Sequence, residues 1–164
     1  MEVVEGIHLI RRVRGANAYL LRADEAITLV DTGLPGSAGR ITDYVESIGC
    51  RRSDVKTIVL THSDMDHAGS AARLKEETNA KVAIHEADAP RLSEEKEWKK
   101  VNGVLGLLLR AAGAAMRFNR PQADVLLKDS DIINGLHVIH TPGTQMGASA
   151  FTFPAGLCSS ATLF

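Results

Sequence analysis

Thr61-His62-Ser63-Asp64-Met65-Asp66-His67-Ala68-Gly69 sets two imidazoles and two carboxylates within six residues, directly after the β-branched, apolar run Thr57-Ile58-Val59-Leu60. Such a cluster needs a physical reason, because Asp64 and Asp66 repel each other and a buried carboxylate without a partner is costly. A divalent cation supplies that reason, and imidazole with carboxylate is a ligand set that zinc, iron and manganese all accept. The competing explanation is a polar loop that caps a helix and faces water, with Asp66 as the N-cap of a helix starting near Ala68. That explanation accounts for one residue and leaves the alternation 62, 64, 66 and the adjoining His67 without a role. The candidate metal ligands are therefore His62, Asp64, Asp66 and His67.

The elements that must carry this loop follow from hydropathy patterning. Ile7-His8-Leu9-Ile10 and Ala18-Tyr19-Leu20-Leu21 have strand character, and Ala26-Ile27-Thr28-Leu29-Val30 is more continuously apolar, hence a more buried strand. The third strand ends at Asp31-Thr32-Gly33, followed by the turn residues Leu34-Pro35-Gly36 and a Ser37 N-cap. Ile41, Val45 and Ile48 keep helical spacing up to Gly49. After the ligand loop the pattern predicts a helix from about Ala68 to Thr78, a strand Lys81-Val82-Ala83-Ile84 closing at His85, and a short helix over Glu86 to Leu92. A charged helix is expected from near Ser93, anchored by Trp98, and a nearly apolar helix from Gly103 to Phe118 with only Arg110 and Arg117 charged. Beyond Arg120-Pro121 the pattern turns to strands: Val125-Leu126-Leu127, Leu136-His137-Val138-Ile139, Ala148 to Phe153 and Leu157-Cys158, with turns at Asp131 and Asn134-Gly135. This is an α/β alternation followed by a strand-rich segment, expected as a single domain over residues 1–164.

Composition narrows the partners. The chain has 164 residues, 45% of them hydrophobic, and a net charge of −1, which fits a globular domain with one core. Without a basic excess there is no electrostatic footprint for nucleic acid or for a membrane surface, which leaves small molecules and proteins. The first six residues carry neither a basic nor an apolar signal region, so the cytoplasm is the expected compartment. Cys50 and Cys158 stand far apart and form neither a zinc knuckle nor a redox dithiol.

Four motifs in this order, Asn17-Ala18-Tyr19-Leu20-Leu21, Val30-Asp31-Thr32-Gly33, Thr61-His62-x-x-x-Asp66-His67-x-Gly69 and His140-Thr141-Pro142-Gly143, resemble the metallo-β-lactamase-fold superfamily of metal-dependent hydrolases. The resemblance implies an αββα sandwich with a two-metal site on one edge of the sheets. It further implies hydrolysis of esters, thioesters, lactones, β-lactams or phosphodiesters by metal-activated water, with Asp66 as the catalytic residue that orients the nucleophile. Some members use a di-iron site for redox chemistry. Asp31 would tie the ligand loop together by hydrogen bonds without binding metal; on its residue type alone it is equally a turn-former before Gly33.

Set against the family signature His-x-His-x-Asp-His, the second histidine is Asp64 here. The later His-Thr-Pro-Gly-His motif has Thr144 in place of its ligand histidine, and the bridging aspartate of a Gly-Asp-Thr-Leu-Phe element is Ala161. The last family histidine lies further downstream and has no counterpart within these residues. The resemblance thus implies a weakened centre holding one ion, or holding it loosely, with Asp64 shifting preference from zinc towards iron(II), manganese or magnesium. An incomplete second half of the sandwich would expose a strand edge and an apolar face, which leads to the expectation of a homo-oligomer that covers them. Three readings stay open: a mononuclear hydrolase acting on a small-molecule substrate, a non-catalytic binding or assembly protein that retains the fold, and a fragment of an active enzyme. His85 is expected at the same sheet edge as a surface histidine or a substitute ligand, and His8 and His137 as structural residues.

Overall fold

The computed structural model describes residues 1–23, 26–93, 119–141, 148–152 and 162–163. The expected helices from Ser93 onward and across Gly103 to Phe118, Trp98, Cys158, the Leu157-Cys158 strand, Thr144 and Ala161 lie outside the described residues, except that Ser93 closes a short helix.

Two sheets face each other. In the first, β1 (Glu2–Val4), β2 (Ile7–Ile10), β3 (Ala18–Ala23) and β4 (Ala26–Val30) run antiparallel in sequence order, and β5 (Val55–Leu60), β6 (Lys81–His85) and β7 (Val125–Leu127) continue from β4 in parallel. In the second, β8 (Ile132–Ile133), β9 (Leu136–His140), β10 (Ser149–Thr152) and β11 (Thr162–Leu163) are antiparallel, in the order β11-β10-β9-β8. The parallel pairs need crossovers, and helices supply them. Helix α1 (Ala38–Ser47) joins β4 to β5, α2 (Met65–Ala68) and α3 (Ala71–Thr78) join β5 to β6, and α4 (Ala89–Ser93) follows β6.

The two-residue period of the central strands divides the core. Ile27, Leu29, Ile58, Leu60, Val82 and Ile84 point to one face, where they are buried with Ile41 and Val45 of α1 and Leu74 of α3. The alternate residues Val30, Val59 and Ala83 point to the other face and pack with Leu127, Leu136, Val138 and Phe151, which fills the space between the sheets. Both faces of β4 to β6 are therefore covered, which is why these strands are apolar almost throughout. Thr28 and Thr57 would be awkward on the inter-sheet face, but the Asn134 amide donates to both hydroxyls at 2.9 Å. The layers observed are helix, sheet, sheet, as in the expected αββα sandwich. Among the described residues no helix is long and apolar enough to cross a membrane.

Two local expectations are corrected, and two short elements are added. The helix expected from Ala68 to Thr78 is two helices separated at Gly69-Ser70. A Cβ on Gly69 would stand 2.3 Å from the Met65 carbonyl oxygen and 2.5 Å from Pro35 Cδ, so the break lets the β4 loop pass close by. The segment before β5 contains a 3₁₀ turn at Arg52–Asp54, closed by the Asp54 carboxylate on the Arg51 N–H and guanidinium. The helix expected from Glu86 starts only at Ala89. Strand β1 went unrecognised because three residues, two of them exposed, show no periodicity.

Phe151 is fully buried between the sheets. Phe151→Ala should lower unfolding free energy by about 3–5 kcal/mol through lost burial and a residual cavity, to be measured by urea denaturation of the metal-free protein.

Candidate metal centre

The carboxyl ends of parallel strands β4, β5 and β6 send their loops to one edge of the first sheet, and the site is assembled there. The chain leaves β4 through Asp31 in the left-handed region at φ 59°, a conformation aspartate tolerates better than most residues. Two residues on, Gly33 also has positive φ, and a Cβ there would meet Val13 Cγ1 at 2.3 Å and the Arg14 carbonyl oxygen at 2.6 Å. This sharp turn aims the Asp31 side chain at the loop following β5.

Asp31 is 2% exposed. Its Oδ1 accepts the Thr61 N–H at 2.9 Å, and its Oδ2 accepts the Thr61 hydroxyl at 2.8 Å and His67 Nδ1 at 2.7 Å. The single hydroxyl hydrogen of Thr61 is thereby committed to Asp31, so Thr61 Oγ1 accepts from His62 Nδ1 at 3.0 Å, while the one Nδ1–H of His67 goes chiefly to Asp31 and meets Thr61 Oγ1 at 3.1 Å as the weaker arm of a shared bond. Both rings then carry their proton on Nδ1, and both Nε2 lone pairs are left for a ligand. The rings stand 3.8 Å apart between centroids.

Helix α2 completes the arrangement. Its backbone is tied to the β4 loop by the Thr32 N–H and hydroxyl, which donate to the His67 carbonyl at 2.7 and 2.8 Å. The Ala16 N–H donates to the Asp66 carbonyl at 3.1 Å. His62, Asp66 and His67 each offer a ligand atom, all within 4.8 Å of one another. Asp64 stands outside this group: it is the N-cap of α2, extended at ψ 149°, and its carbonyl accepts the His67 and Ala68 N–H groups. Three of the four candidate ligands thus form one cluster, and the N-cap that the competing explanation assigned to Asp66 is Asp64. Two imidazoles and one carboxylate, with a position left for water, suit a single divalent ion.

Electrostatics separate the two histidines. Burial, then the neighbouring His67, lowers the pKa of His62 below the ordinary imidazole value, which keeps its lone pair available. For His67 burial also opposes the charged form, but the Asp31 hydrogen bond and charge outweigh it, helped by Asp66 and Asp64, and its pKa is raised.

His85 is not a surface histidine. It is 6% exposed and stacks on His140, with ring centroids 4.1 Å apart and planes 10° from parallel. The stack bridges the ends of β6 and β9, and burial, then His140, lowers the His85 pKa. Neither ring belongs to the three-donor group. His8 lies in β2 with Nδ1 3.1 Å from the Tyr44 hydroxyl, and His137 lies in β9 opposite Ile132 and Thr152. Two residues went unread in the sequence. Thr61 is the hub through which both histidines are oriented, and Asp88, fully buried, accepts the Ser63 N–H inside the ligand loop. Thr61 could have been found as the residue preceding the first ligand, whereas Asp88 looks like an ordinary cap before a helix.

Comparison with known proteins gives concordant results. The model of the metallo-β-lactamase superfamily matches residues 11–156. A probable metallo-hydrolase of Mycobacterium tuberculosis is 30% identical over 167 residues, which take in 85% of this chain and 53% of that protein. The uncharacterised protein YobT of Bacillus subtilis is 29% identical over 136 residues, 82% of this chain and 55% of its own length. The chain thus spans about half the length of these curated relatives. Among solved structures, a β-lactamase from Chitinophaga pinensis superposes with a TM-score of 0.78 at 25% identity, covering 100% of this chain and 61% of that one. A metallo-β-lactamase of Cronobacter sakazakii gives 0.79 at 24% identity, over 99% and 62%, and shares the fold.

The Asp31–His67 pair makes a signed prediction for the metal-free protein. Because His67 titrates higher when folded, its contribution to stability is full below the unfolded imidazole pKa and is lost as pH rises through the folded value. Asp31→Asn leaves the burial and removes the Asp31 charge that raises the value, so the His67 titration followed by NMR should move down, with Asp66 and Asp64 still opposing the burial. A proton competes with metal for this ring, so metal affinity should fall as pH drops through the folded His67 value.

Proposed function

Because the chain belongs to the metallo-β-lactamase superfamily, we propose that it is a metal-dependent hydrolase domain whose described residues hold one divalent ion through His62, Asp66 and His67. The observation that carries this reading is the Asp31–Thr61 hydrogen-bond hub. It sets both imidazoles in the Nδ1–H form and gathers three donor atoms within 4.8 Å. A loop that merely capped a helix would have no use for two histidines oriented in this way.

A divalent ion acts there as a Lewis acid and brings the pKa of water towards about 7. The chain's own residues do the rest. His62, kept neutral by burial, and His67, oriented by Asp31, supply nitrogen donors, and Asp66 supplies the anionic one. The Asp66 side chain is 52% exposed, so it faces the side from which substrate arrives, where it orients a water and accepts its proton. The substrate class is a small molecule with an ester, thioester, lactone or phosphodiester bond. With two nitrogen donors and one oxygen donor the site accepts zinc, iron(II) or manganese. The matched region takes in 53–55% of the curated relatives, and donors and substrate contacts from the remainder of such a protein would add to this set.

Metal content and turnover together test the proposal. The purified chain loaded with zinc, manganese or iron(II) should hold about one ion and hydrolyse at least one member of a panel of esters, lactones and phosphodiesters. His62→Ala and Asp66→Ala should each lower kcat/KM by about 100-fold or more, the equivalent of about 2.7 kcal/mol of transition-state stabilisation. No ion retained under excess metal, or turnover indifferent to both substitutions, would overturn it.

A further inference from the structure

Ser63 lies between two candidate ligands, His62 and Asp66, and is 4% exposed, so its N–H cannot rely on solvent. It lies outside any helix or strand, and its hydrogen bond goes to Asp88 Oδ2, 25 residues away. Asp88 is 0% exposed. Among the described residues its other oxygen, Oδ1, has no hydrogen-bond partner, and Arg91 Nη1 stays 3.8 Å away. A buried carboxyl group with one backbone donor and one long ion pair to Arg91 does little for the stability of the fold. What it does is fix the loop.

Asp88 is itself firmly mounted. Its N–H donates to the His85 carbonyl, and its own carbonyl accepts the Arg91 and Leu92 N–H groups at the start of α4. The geometry mirrors that of Asp31. Strands β4 and β6 flank β5 on either side, and each is followed by a buried aspartate that reaches across to the loop after β5. Asp31 holds the Thr61 N–H and Asp88 holds the Ser63 N–H, so the residues before and after His62 are both pinned.

We propose that Asp88 is a positioning residue of the metal centre: by accepting the Ser63 N–H it completes, opposite Asp31, a two-sided clamp that fixes His62 for coordination. The proposal rests on the functional reading above. Cobalt(II) binding followed by visible absorption in the wild type, Asp88→Asn and Asp88→Ala tests it. Asp88→Asn keeps an oxygen acceptor for Ser63 and should bind within about threefold of wild type, whereas Asp88→Ala should lose about 10- to 100-fold in affinity while still melting cooperatively. A folded Asp88→Ala with wild-type affinity would overturn the proposal, as would an Asp88→Asn as weak as the alanine variant.

The Ser63 amide signal of the metal-free wild type gives a second measurement that survives a failure of Asp88→Ala to fold. It should be shifted downfield and protected from exchange, and should move in Asp88→Asn. Rapid exchange with no response to the substitution would overturn the clamp. A wild type that takes up no cobalt would overturn the functional reading instead, and the Ser63 signal would still decide whether Asp88 holds the loop.

Discussion

The structure depends on one buried carboxylate. Asp31 is almost fully removed from water and adopts a backbone conformation that costs a non-glycine residue about 1 kcal/mol or more. Those costs are offset only if every partner is in place, and three donors from two residues of the segment after β5 provide that. A buried carboxylate with good partners holds geometry more strictly than apolar packing does, because losing any one hydrogen bond leaves charge uncompensated. The requirement that stabilises Asp31 is also the one that orients His62 and His67.

The rest of the fold makes that meeting possible. Asp31 follows β4 and Thr61 follows β5, and only the parallel pairing of these strands, with Val30 beside Val59, brings both carboxyl ends to the same edge. The pairing is supported from both faces, by α1 and α3 on one side and the second sheet on the other. The close approach of Gly33 to Val13 and Arg14, and of Gly69 to Pro35, lets the loops interleave without side chains between them. The second sheet reaches the same edge, where the Ser149 N–H donates to the Thr61 carbonyl at 3.0 Å. Thr61 is thus held by both sheets through its backbone and serves both histidines through its hydroxyl.

Much of this was legible in advance. The apolar runs gave β2 to β7, β9 and β10 within a few residues, most plainly β4 to β6, because a strand buried on both faces has a composition that no loop shares. The four ligand candidates stood out because their residue types are crowded in a way that needs compensation. The break at Gly69-Ser70 escaped notice because a glycine and a serine inside a helical pattern are tolerable locally, and only the passing Pro35 loop requires them to interrupt it. His85 was expected as a surface histidine or a substitute ligand because a strand end normally opens to water, and here His140 from the other sheet covers it.

By itself the sequence determined the chemistry available at the edge: two imidazoles and two carboxylates after a buried strand, with Asp31 ending the strand beside it. Residue types and short spacings are local, and so are the crowding and repulsion that reveal them. Tertiary structure alone decided which of the four converge, joining His62 to Asp66 and His67 and leaving Asp64 to start a helix. It alone gave Thr61 its place between two rings and brought Asp88 to Ser63. Those outcomes depend on the register of parallel strands and on hydrogen bonds between residues 25 to 36 positions apart, and no window of sequence contains both ends of such a bond.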